Sequence, residues 1–183
     1  MPEVNCKVEA AASARCARSR GMTLIELITT LAVLVITLTL AAPAFTSFLR
    51  SNRLMAAQSE LVSSLMLARS EAARQGTRVG VASLEPLTEG DFANGWRVWV
   101  DTNANGSFDD GEPVMREVGA RGAPLTITAS PGLSAVVFNP NGFLVADEAM
   151  TFDLCGQPGV AKGYRVLLEM VGLSDTTEVT TCP

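Results

Sequence analysis

The feature that most constrains this chain is an apolar run near its start. From Leu27 to Leu49 there are 23 consecutive residues without a charged side chain. A helix of about 20 such residues is long enough to cross a bilayer. Pro43 lies within the run, and an interior proline kinks a helix without necessarily ending it. We therefore predict a membrane-spanning helix with a kink at Pro43.

The helical pattern continues beyond this run. Apolar side chains recur at helical spacing between Arg50 and Gln75, at Leu54, Leu61, Leu65, Ala68 and Ala72. They share one face of a helix, which favours packing against a globular head. Gly76 is a typical helix stop. We predict one helix over 22–75, with a transmembrane part at 22–49, an amphipathic part at 50–76 and a head at 77–183.

Charge is distributed unevenly along the chain. Residues 1–21 carry four basic and two acidic side chains, whereas the whole chain has a net charge of −5. A basic segment before an apolar run predicts a single-pass membrane protein with a cytoplasmic N-terminus and an exported head. The acidic body lacks the clustered bases that bind phosphate backbones, which argues against a nucleic-acid partner.

The sequence contains no histidine. This excludes the Ser-His-Asp triad, the Cys-His pair and metal sites built on histidine. No other nucleophile–base constellation is visible in the sequence. We therefore predict a chain that is not an enzyme and needs no cofactor, with calcium considered separately below.

The four cysteines fall into two pairs by position. Cys6 and Cys16 lie in the basic N-terminal segment, whereas Cys155 and Cys182 lie near the C-terminal end. An exported head enters an oxidising compartment, where Cys155 and Cys182 can form a disulfide. In the chain-entropy model such a bridge stabilises by roughly 3–4 kcal/mol. The alternative is a pair of free thiols.

Three interpretations compete for the N-terminal segment. An ordinary signal peptide ends at a small-residue cleavage site, and Ala42-Pro43-Ala44 has that form. A plain membrane anchor needs only the apolar run. Neither explains Glu26, an acid at the mouth of the apolar segment. A carboxylate placed there is costly to bury without a partner, which marks it as a candidate functional residue.

The segment Gly21-Met22-Thr23-Leu24-Ile25-Glu26, directly after Arg18-Ser19-Arg20, resembles the class III signal of type IV pilins and type II secretion pseudopilins. The resemblance implies that a prepilin peptidase cuts between Gly21 and Met22, removes the leader 1–21 and N-methylates Met22. It assigns to Glu26 the neutralisation of a neighbouring subunit's terminal amine during assembly. It also places Pro43 where these subunits carry a helix-kinking proline.

After Gly76 the pattern changes to short runs that are typical of strands, separated by Gly, Pro and Asn. The predicted strands are 78–83, 96–101, 114–118, 125–129, 135–139, 150–154 and 164–171, with a further one near 178–181. Trp96 and Trp99 are three residues apart, so they point to opposite faces of one strand. We expect one of them to be packed inward and the other to be half exposed.

The order of these elements resembles the GspH/FimT-like branch of minor pilins and pseudopilins. The residues that carry the resemblance are Ala68-Arg69-Ser70-Glu71-Ala72, Gly95–Asp101, Asn103, Asn105-Gly106, Gly111–Val114 and Val137–Gly142. The implied fold is α+β, with a long membrane-spanning helix packed on an antiparallel β-rich head. The implied partners are other pilins or pseudopilins in a helical filament.

The function that we expect is that of a minor pseudopilin, a structural subunit of the type II secretion pseudopilus. The alternative is a minor pilin of a type IV pilus, acting in pilus assembly or DNA uptake. Some FimT-like minor pilins bind DNA through a basic Gly-Arg-x-Arg motif near the chain end. The matching region, 173–182, has two acids and no base, so DNA binding is not carried over.

One head segment matches a twelve-residue calcium loop. Oxygen donors recur at alternate positions, at Asp101, Asn103, Asn105, Ser107, Asp109 and Glu112. Gly106 falls where such a loop turns sharply. A calcium-dependent adhesive head is therefore a further alternative. The competing interpretation is a plain loop whose Asn, Asp and Gly residues serve turn formation.

Overall fold

The computed structural model describes residues 22–85, 89–120, 125–156 and 163–180, together with Cys182. The chain forms two compact units, Met1–Pro43 and Ala44–Pro183. Helix α1 begins at Leu24 and ends at Gln75, so it contributes residues to both units. The predicted helix over 22–75 is therefore confirmed, with a start two residues later than expected.

The described part of the first unit is the apolar start of α1. Its large side chains are exposed along the whole segment, from Leu24 to Leu40. By length and composition α1 is able to cross a membrane. The hydroxyl groups of Thr29, Thr30, Thr37 and Thr39 donate hydrogen bonds to carbonyl oxygens of the preceding helical turn. These threonines therefore bring polar atoms into the apolar segment without leaving a hydroxyl donor unpaired.

The second half of α1 buries the predicted stripe. Leu54, Leu61, Leu65, Ala68 and Ala72 all lie in the core of the second unit. The helix ends as expected: the amide of Gly76 donates to the Ala72 carbonyl oxygen at 3.0 Å, and Gly76 has a φ of 66°. This left-handed conformation costs glycine little and is common one residue after a helix.

The head contains two antiparallel four-stranded sheets. The first has the order β3-β2-β1-β5, and the second has the order β4-β6-β7-β8. In chain order the strands are β1 (Arg78–Ser83), β2 (Gly95–Asp101), β3 (Val114–Gly119), β4 (Thr126–Ser130), β5 (Ala135–Phe138), β6 (Met150–Cys155), β7 (Gly163–Leu168) and β8 (Ser174–Val179).

One hydrophobic core joins the amphipathic stripe of α1 to side chains of both sheets. The strands contribute large buried residues such as Trp96, Phe138, Phe152 and Leu154. Phe92, in the loop before β2, meets Phe152 edge to face, with ring centroids 5.3 Å apart. The fold is thus the predicted α+β arrangement of a long N-terminal helix and antiparallel sheets.

The predicted strands correspond to the observed ones, with corrections at the C-terminal end. The strand expected over 164–171 ends at Leu168, because residues 169–173 form a turn in which the Glu169 amide donates to the Leu173 carbonyl oxygen. The last strand is longer and begins earlier than expected, at Ser174. Its side chains are largely exposed, so burial gave it no clear signature in the sequence.

The expectation for the two tryptophans is half wrong. Trp96 and Trp99 do lie on opposite faces of β2, but both are fully buried, with 0% exposure. Trp99 belongs to a second, smaller apolar cluster with Ala82 and Val137. Phe108, from the loop after β2, packs edge to face on Trp99 at 6.2 Å. The outer face of the first sheet is therefore covered by this loop, which sequence periodicity does not report.

Candidate functional site

Glu26 lies at the start of α1 and is engaged by the helix itself. Its amide donates to the Thr23 hydroxyl oxygen at 3.3 Å. The Thr23 amide points back at a Glu26 carboxylate oxygen at 3.5 Å. This reciprocal pair is a capping box, which satisfies two helical N–H groups that have no partner within the helix.

The same geometry leaves the Glu26 carboxylate able to bind a second partner besides its own helix. The residue is exposed at the N-terminal end of α1, where the helix dipole favours a negative charge. Met22 is exposed beside it.

Gly21 and the leader 1–21 lie outside the described residues, so cleavage after Gly21 and methylation of Met22 stay predictions. The kink at Pro43 also stays a prediction.

The calcium-loop candidates are brought together on the loop between β2 and β3. Asp101, at the end of β2, is almost fully buried, with 1% exposure. Its two carboxylate oxygens accept hydrogen bonds from the amides of Asn105 at 3.2 Å and Gly106 at 3.0 Å. The φ of 82° at Gly106 explains why glycine stands at the tightest point of the loop.

Glu112 closes the other end of this loop. One carboxylate oxygen accepts from the Thr102 amide at 2.8 Å, and the other accepts from the Asp109 amide at 3.1 Å. Burial is the largest single influence on the pKa of Glu112, and it raises that pKa. Together, the hydrogen bonds that Glu112 accepts lower the pKa by more; they come from the amides of Asp109, Thr102 and Asn103 and from the Thr102 hydroxyl. The pKa of Glu112 is therefore held below its ordinary value.

The remaining candidates bond to one another. The side-chain amides of Asn103 and Asn105 both donate to one oxygen of Asp109, at 2.7 Å each. Ser107 donates its backbone amide to the side-chain oxygen of Asn105. Within the described ranges, no three His, Cys, Asp or Glu side chains form a group that could hold a metal ion. This geometry favours the plain-loop interpretation, in which the oxygens accept the loop's own N–H groups.

The predicted disulfide is confirmed: Cys155 and Cys182 are bonded, with their Cα atoms 5.8 Å apart. Cys155 is the last residue of β6 and is buried. The bridge therefore ties the end of the described chain to a central strand of the second sheet.

Arg165, on β7, lies in an ion pair with Asp153. It stands opposite Asp153 in the β6–β7 register. Its Nε and a terminal nitrogen donate to the two oxygens of Asp153, at 2.6 and 2.9 Å. The bonds to Asp153 raise the pKa of the arginine further. Arg165 is therefore part of the strand surface.

Residues 57–172, which include the second half of α1 and most of the head, match the family described as "Type II transport protein GspH". The chain belongs to the GspH family. A relative of this GspH-family chain, the pilin-like protein PilA1 of Thermus thermophilus, is 35% identical over 130 residues, covering 67% of this chain and 78% of that protein.

Solved structures support the GspH-family assignment at the level of fold. The type IV minor pilin FimU of Pseudomonas aeruginosa, crystallised in space group P21, gives a TM-score of 0.57 at 27% identity. The match covers 71% of this chain and 92% of FimU. A second crystal form of FimU, in space group P65, gives a TM-score of 0.55 at 24% identity and speaks for the fold alone.

These matches confirm the predicted resemblance and fold class. The GspH-family chain is a type IV pilin-like minor pilin or pseudopilin. The family and the fold are those of structural pilin subunits, which agrees with the prediction that the chain is not an enzyme. Family membership also implies assembly with other pilins or pseudopilins.

Proposed function

We propose that this chain is a minor structural subunit of a pilin-type filament that is anchored in the inner membrane by α1. The observation that carries the proposal is the exposed apolar start of α1 with Glu26 at its mouth. An apolar helix without a cover in the monomer needs lipid before assembly and neighbouring helices after it. The cytoplasmic N-terminus, the periplasmic head and processing by a prepilin peptidase belong to the same proposal.

The machine that we propose first is the type II secretion pseudopilus, and its support is that the family is described as a type II transport protein. The alternative is a type IV pilus, because FimU is a type IV minor pilin. Deleting the gene separates the two: loss of secreted type II substrates with surface pili intact supports the pseudopilus. Loss of pili with secretion intact supports the type IV pilus, and the alternative then replaces the first proposal.

Glu26 supplies the sharpest test of assembly. The proposed role needs its negative charge, whereas the capping box needs only a side chain that accepts a hydrogen bond. Glu26→Gln keeps the cap and removes the charge, and Glu26→Ala removes both. We expect both variants to be processed at Gly21 and both to be depleted from filaments, because each leaves a neighbour's amine without a counter-charge.

The measurement is the ratio of filament-associated to membrane-associated protein in cells that lack the native gene. Glu71→Gln is the matched control and should assemble normally, because the Glu71 carboxylate bonds to Arg74 and Gln75 of its own helix. If Glu26→Gln assembles like the native chain, Glu26 serves as a helix cap, and its proposed role in assembly is wrong.

No observation favours a calcium-dependent adhesive head. The oxygens of Asp101 and Glu112 are occupied by amides of their own loop. DNA uptake likewise gains no support, because region 173–182 carries two acids and no base.

A further inference from the structure

A pocket of about 380 Å³ lies on the outer face of the first sheet. Its floor crosses three neighbouring strands, because Ala82 of β1 pairs with Arg97 of β2 on one side and with Ala135 of β5 on the other. The two alanines are too short to fill the space beside the arginine. Phe108, from the loop between β2 and β3, also lines this space. The Arg97 pocket, as we call it, is therefore a cavity that small residues leave next to a long charged one.

Arg97 lies in this pocket without a partner for its charge. Its guanidinium stands over the ring of Phe108, 4.3 Å from the ring centroid. Its Nε atom is buried and has no hydrogen-bond acceptor among the described residues. A guanidinium stays charged at physiological pH, and a buried donor without an acceptor costs free energy. Stacking on a ring leaves the N–H groups in the guanidinium plane, where an oxyanion can accept from them.

Serine hydroxyl groups add to the donors of the Arg97 pocket. Ser107 and Ser134 both line it, and within the described ranges their hydroxyl groups form no hydrogen bond. Ser83 uses its hydroxyl differently, donating it to the Asp91 carbonyl oxygen. The Ser83 amide donates to the Ser134 carbonyl oxygen at 2.9 Å, which holds the Ser134 segment against β1. The pocket therefore offers a guanidinium and two unused hydroxyl groups to an anion.

Two acidic side chains near Arg97 limit the charge that this anion can carry. Glu117 stands opposite Arg97 in the β2–β3 register, and Asp110 lines the pocket. In the part of the chain that the structure describes, neither forms an ion pair with Arg97. Both are exposed, so water and salt screen them. They still repel a phosphate group, with its charge of about −1.5 to −2, more strongly than a singly charged carboxylate.

We infer that the Arg97 pocket binds one carboxylate, carried either by a free small acid or by an acidic side chain of a polypeptide. The carboxylate oxygens accept from the Arg97 guanidinium, including the Nε–H group that lacks an acceptor. The hydroxyl groups of Ser107 and Ser134 donate to the same carboxylate. The remaining volume takes the carbon chain of the ligand, against Phe108 and Ala135. The inference goes beyond the proposed function and does not depend on which filament takes the chain.

Side-chain NMR of the full-length protein in detergent tests the inference. The Nε–H signal of Arg97 reports the missing hydrogen bond and is assigned by its absence from Arg97→Gln. The probes are sodium propionate and a capped pentapeptide with one glutamate. The same peptide with glutamine, and sodium chloride at equal ionic strength, are the controls. We expect a saturable shift of this signal with a carboxylate probe and none with the controls.

The two probes separate the sources of the carboxylate. A response to the glutamate peptide alone assigns the pocket to an acidic side chain of a polypeptide. An equal or stronger response to propionate assigns it to a free small acid, and either result supports the inference. A saturable shift with neither probe overturns it, and so does tighter binding of inorganic phosphate.

Substitution of Arg97 tests whether the response comes from this pocket. Arg97→Gln should weaken binding by about tenfold or more, because it removes a charged hydrogen-bond donor. The backbone amide signals of Ser107 and Ser134 report binding in this variant. Arg165→Gln is the matched control and should bind like the native chain, since Arg165 lies on the second sheet and is paired with Asp153. Native affinity in Arg97→Gln overturns the site.

Asp110→Asn provides a test that loss of folding cannot imitate. The variant removes a negative charge from the pocket lining, so it should tighten binding of the carboxylate probe by roughly twofold to fivefold. The thermal midpoints of the native chain, Asp110→Asn and Arg97→Gln show that all three are folded under the conditions of the titration. Weaker binding by Asp110→Asn than by the native chain overturns the inference.

Discussion

At the scale of single residues, a polar atom buried in the core of the head needs a hydrogen-bond partner within that core. Ser64 lies on α1 among the apolar residues of the buried stripe and has no exposed surface. Its hydroxyl donates to the Glu60 carbonyl oxygen at 2.9 Å and accepts from the indole nitrogen of Trp96, also at 2.9 Å. One serine therefore satisfies the polar atom of a large, fully buried side chain.

Ser64→Ala should destabilise the head by about 1–3 kcal/mol, since it leaves the buried indole N–H of Trp96 without an acceptor. The thermal midpoint of the full-length protein in detergent measures the effect. Ser70→Ala is the control, because the Ser70 hydroxyl makes a similar bond to its own helix, to the Leu67 carbonyl oxygen, but is exposed. Equal midpoints for the two variants would contradict the role assigned to Ser64.

Some of these residues carried a signal in the sequence. Thr23 and Glu26 have the Thr-x-x-Glu spacing of a capping box, and Ser64 interrupts an apolar stripe at a position that faces the core. Cys155 and Cys182 were predicted from their position alone. Phe108 carried no signal, because its contacts with Trp99 and with the Arg97 guanidinium, 4.3 Å above its ring, depend on how the loop folds back.

Among the elements, the loop between β2 and β3 is organised by carboxylates instead of by apolar contacts alone. Asp101 anchors its start and Glu112 its end. Phe108 projects from the same loop onto Trp99. The conformation of the loop therefore determines whether the outer face of the first sheet is covered.

Acid should loosen this loop. The pKa of Glu112 is lower in the folded protein than in the unfolded chain, so its contribution to stability is complete above the unfolded value, about 4.3, and is lost as the pH falls through the folded value. We expect hydrogen exchange at the Thr102 and Asp109 amides to accelerate in that acidic range, beyond the intrinsic pH dependence of exchange.

Glu112→Gln gives the matched comparison for this prediction. The variant keeps an acceptor in place but cannot titrate, so the excess acceleration should be absent from it. If the native chain and Glu112→Gln show the same pH profile, the role assigned to Glu112 in the loop is wrong.

The strands were more predictable than this loop. Alternation and turn residues predicted β1 at its observed bounds and β2 with a start one residue too late. Both strands are framed by Gly, Asn or Ser. Pairing order could not be derived, since β1 joins β2 and the distant β5 in one sheet. That choice depends on which faces meet α1, a tertiary effect that local pattern does not contain.

On the scale of the whole molecule, the most predictable feature is the division between an exposed apolar helix start and a folded head. Both follow from the hydrophobic pattern, since 23 uncharged residues leave few alternatives to a spanning helix. The contacts between distant turns of the head follow from it less directly. Met170 and Phe143 are distant in sequence, and only the packing of two turns makes them neighbours.

The final prediction concerns how the chain is processed and oxidised in the cell. Intact mass of the protein purified from its native membrane should correspond to a chain that begins at Met22, carries one added methyl group and lacks two hydrogens for the Cys155–Cys182 bond. Cleavage after Gly21 exposes a terminal amine four residues before Glu26, on the cytoplasmic side. Oxidation of the cysteines requires the head to reach an oxidising compartment.

These three features constrain one another. A chain that begins at Met22 with reduced cysteines would place the head in a reducing compartment and would contradict export. A chain that begins at Phe45 would have lost Glu26 and the apolar start of α1. It would then be a secreted protein, and the proposed filament assembly would be wrong. The full set, found together, is expected only of a subunit that is processed on one side of the membrane and folded on the other.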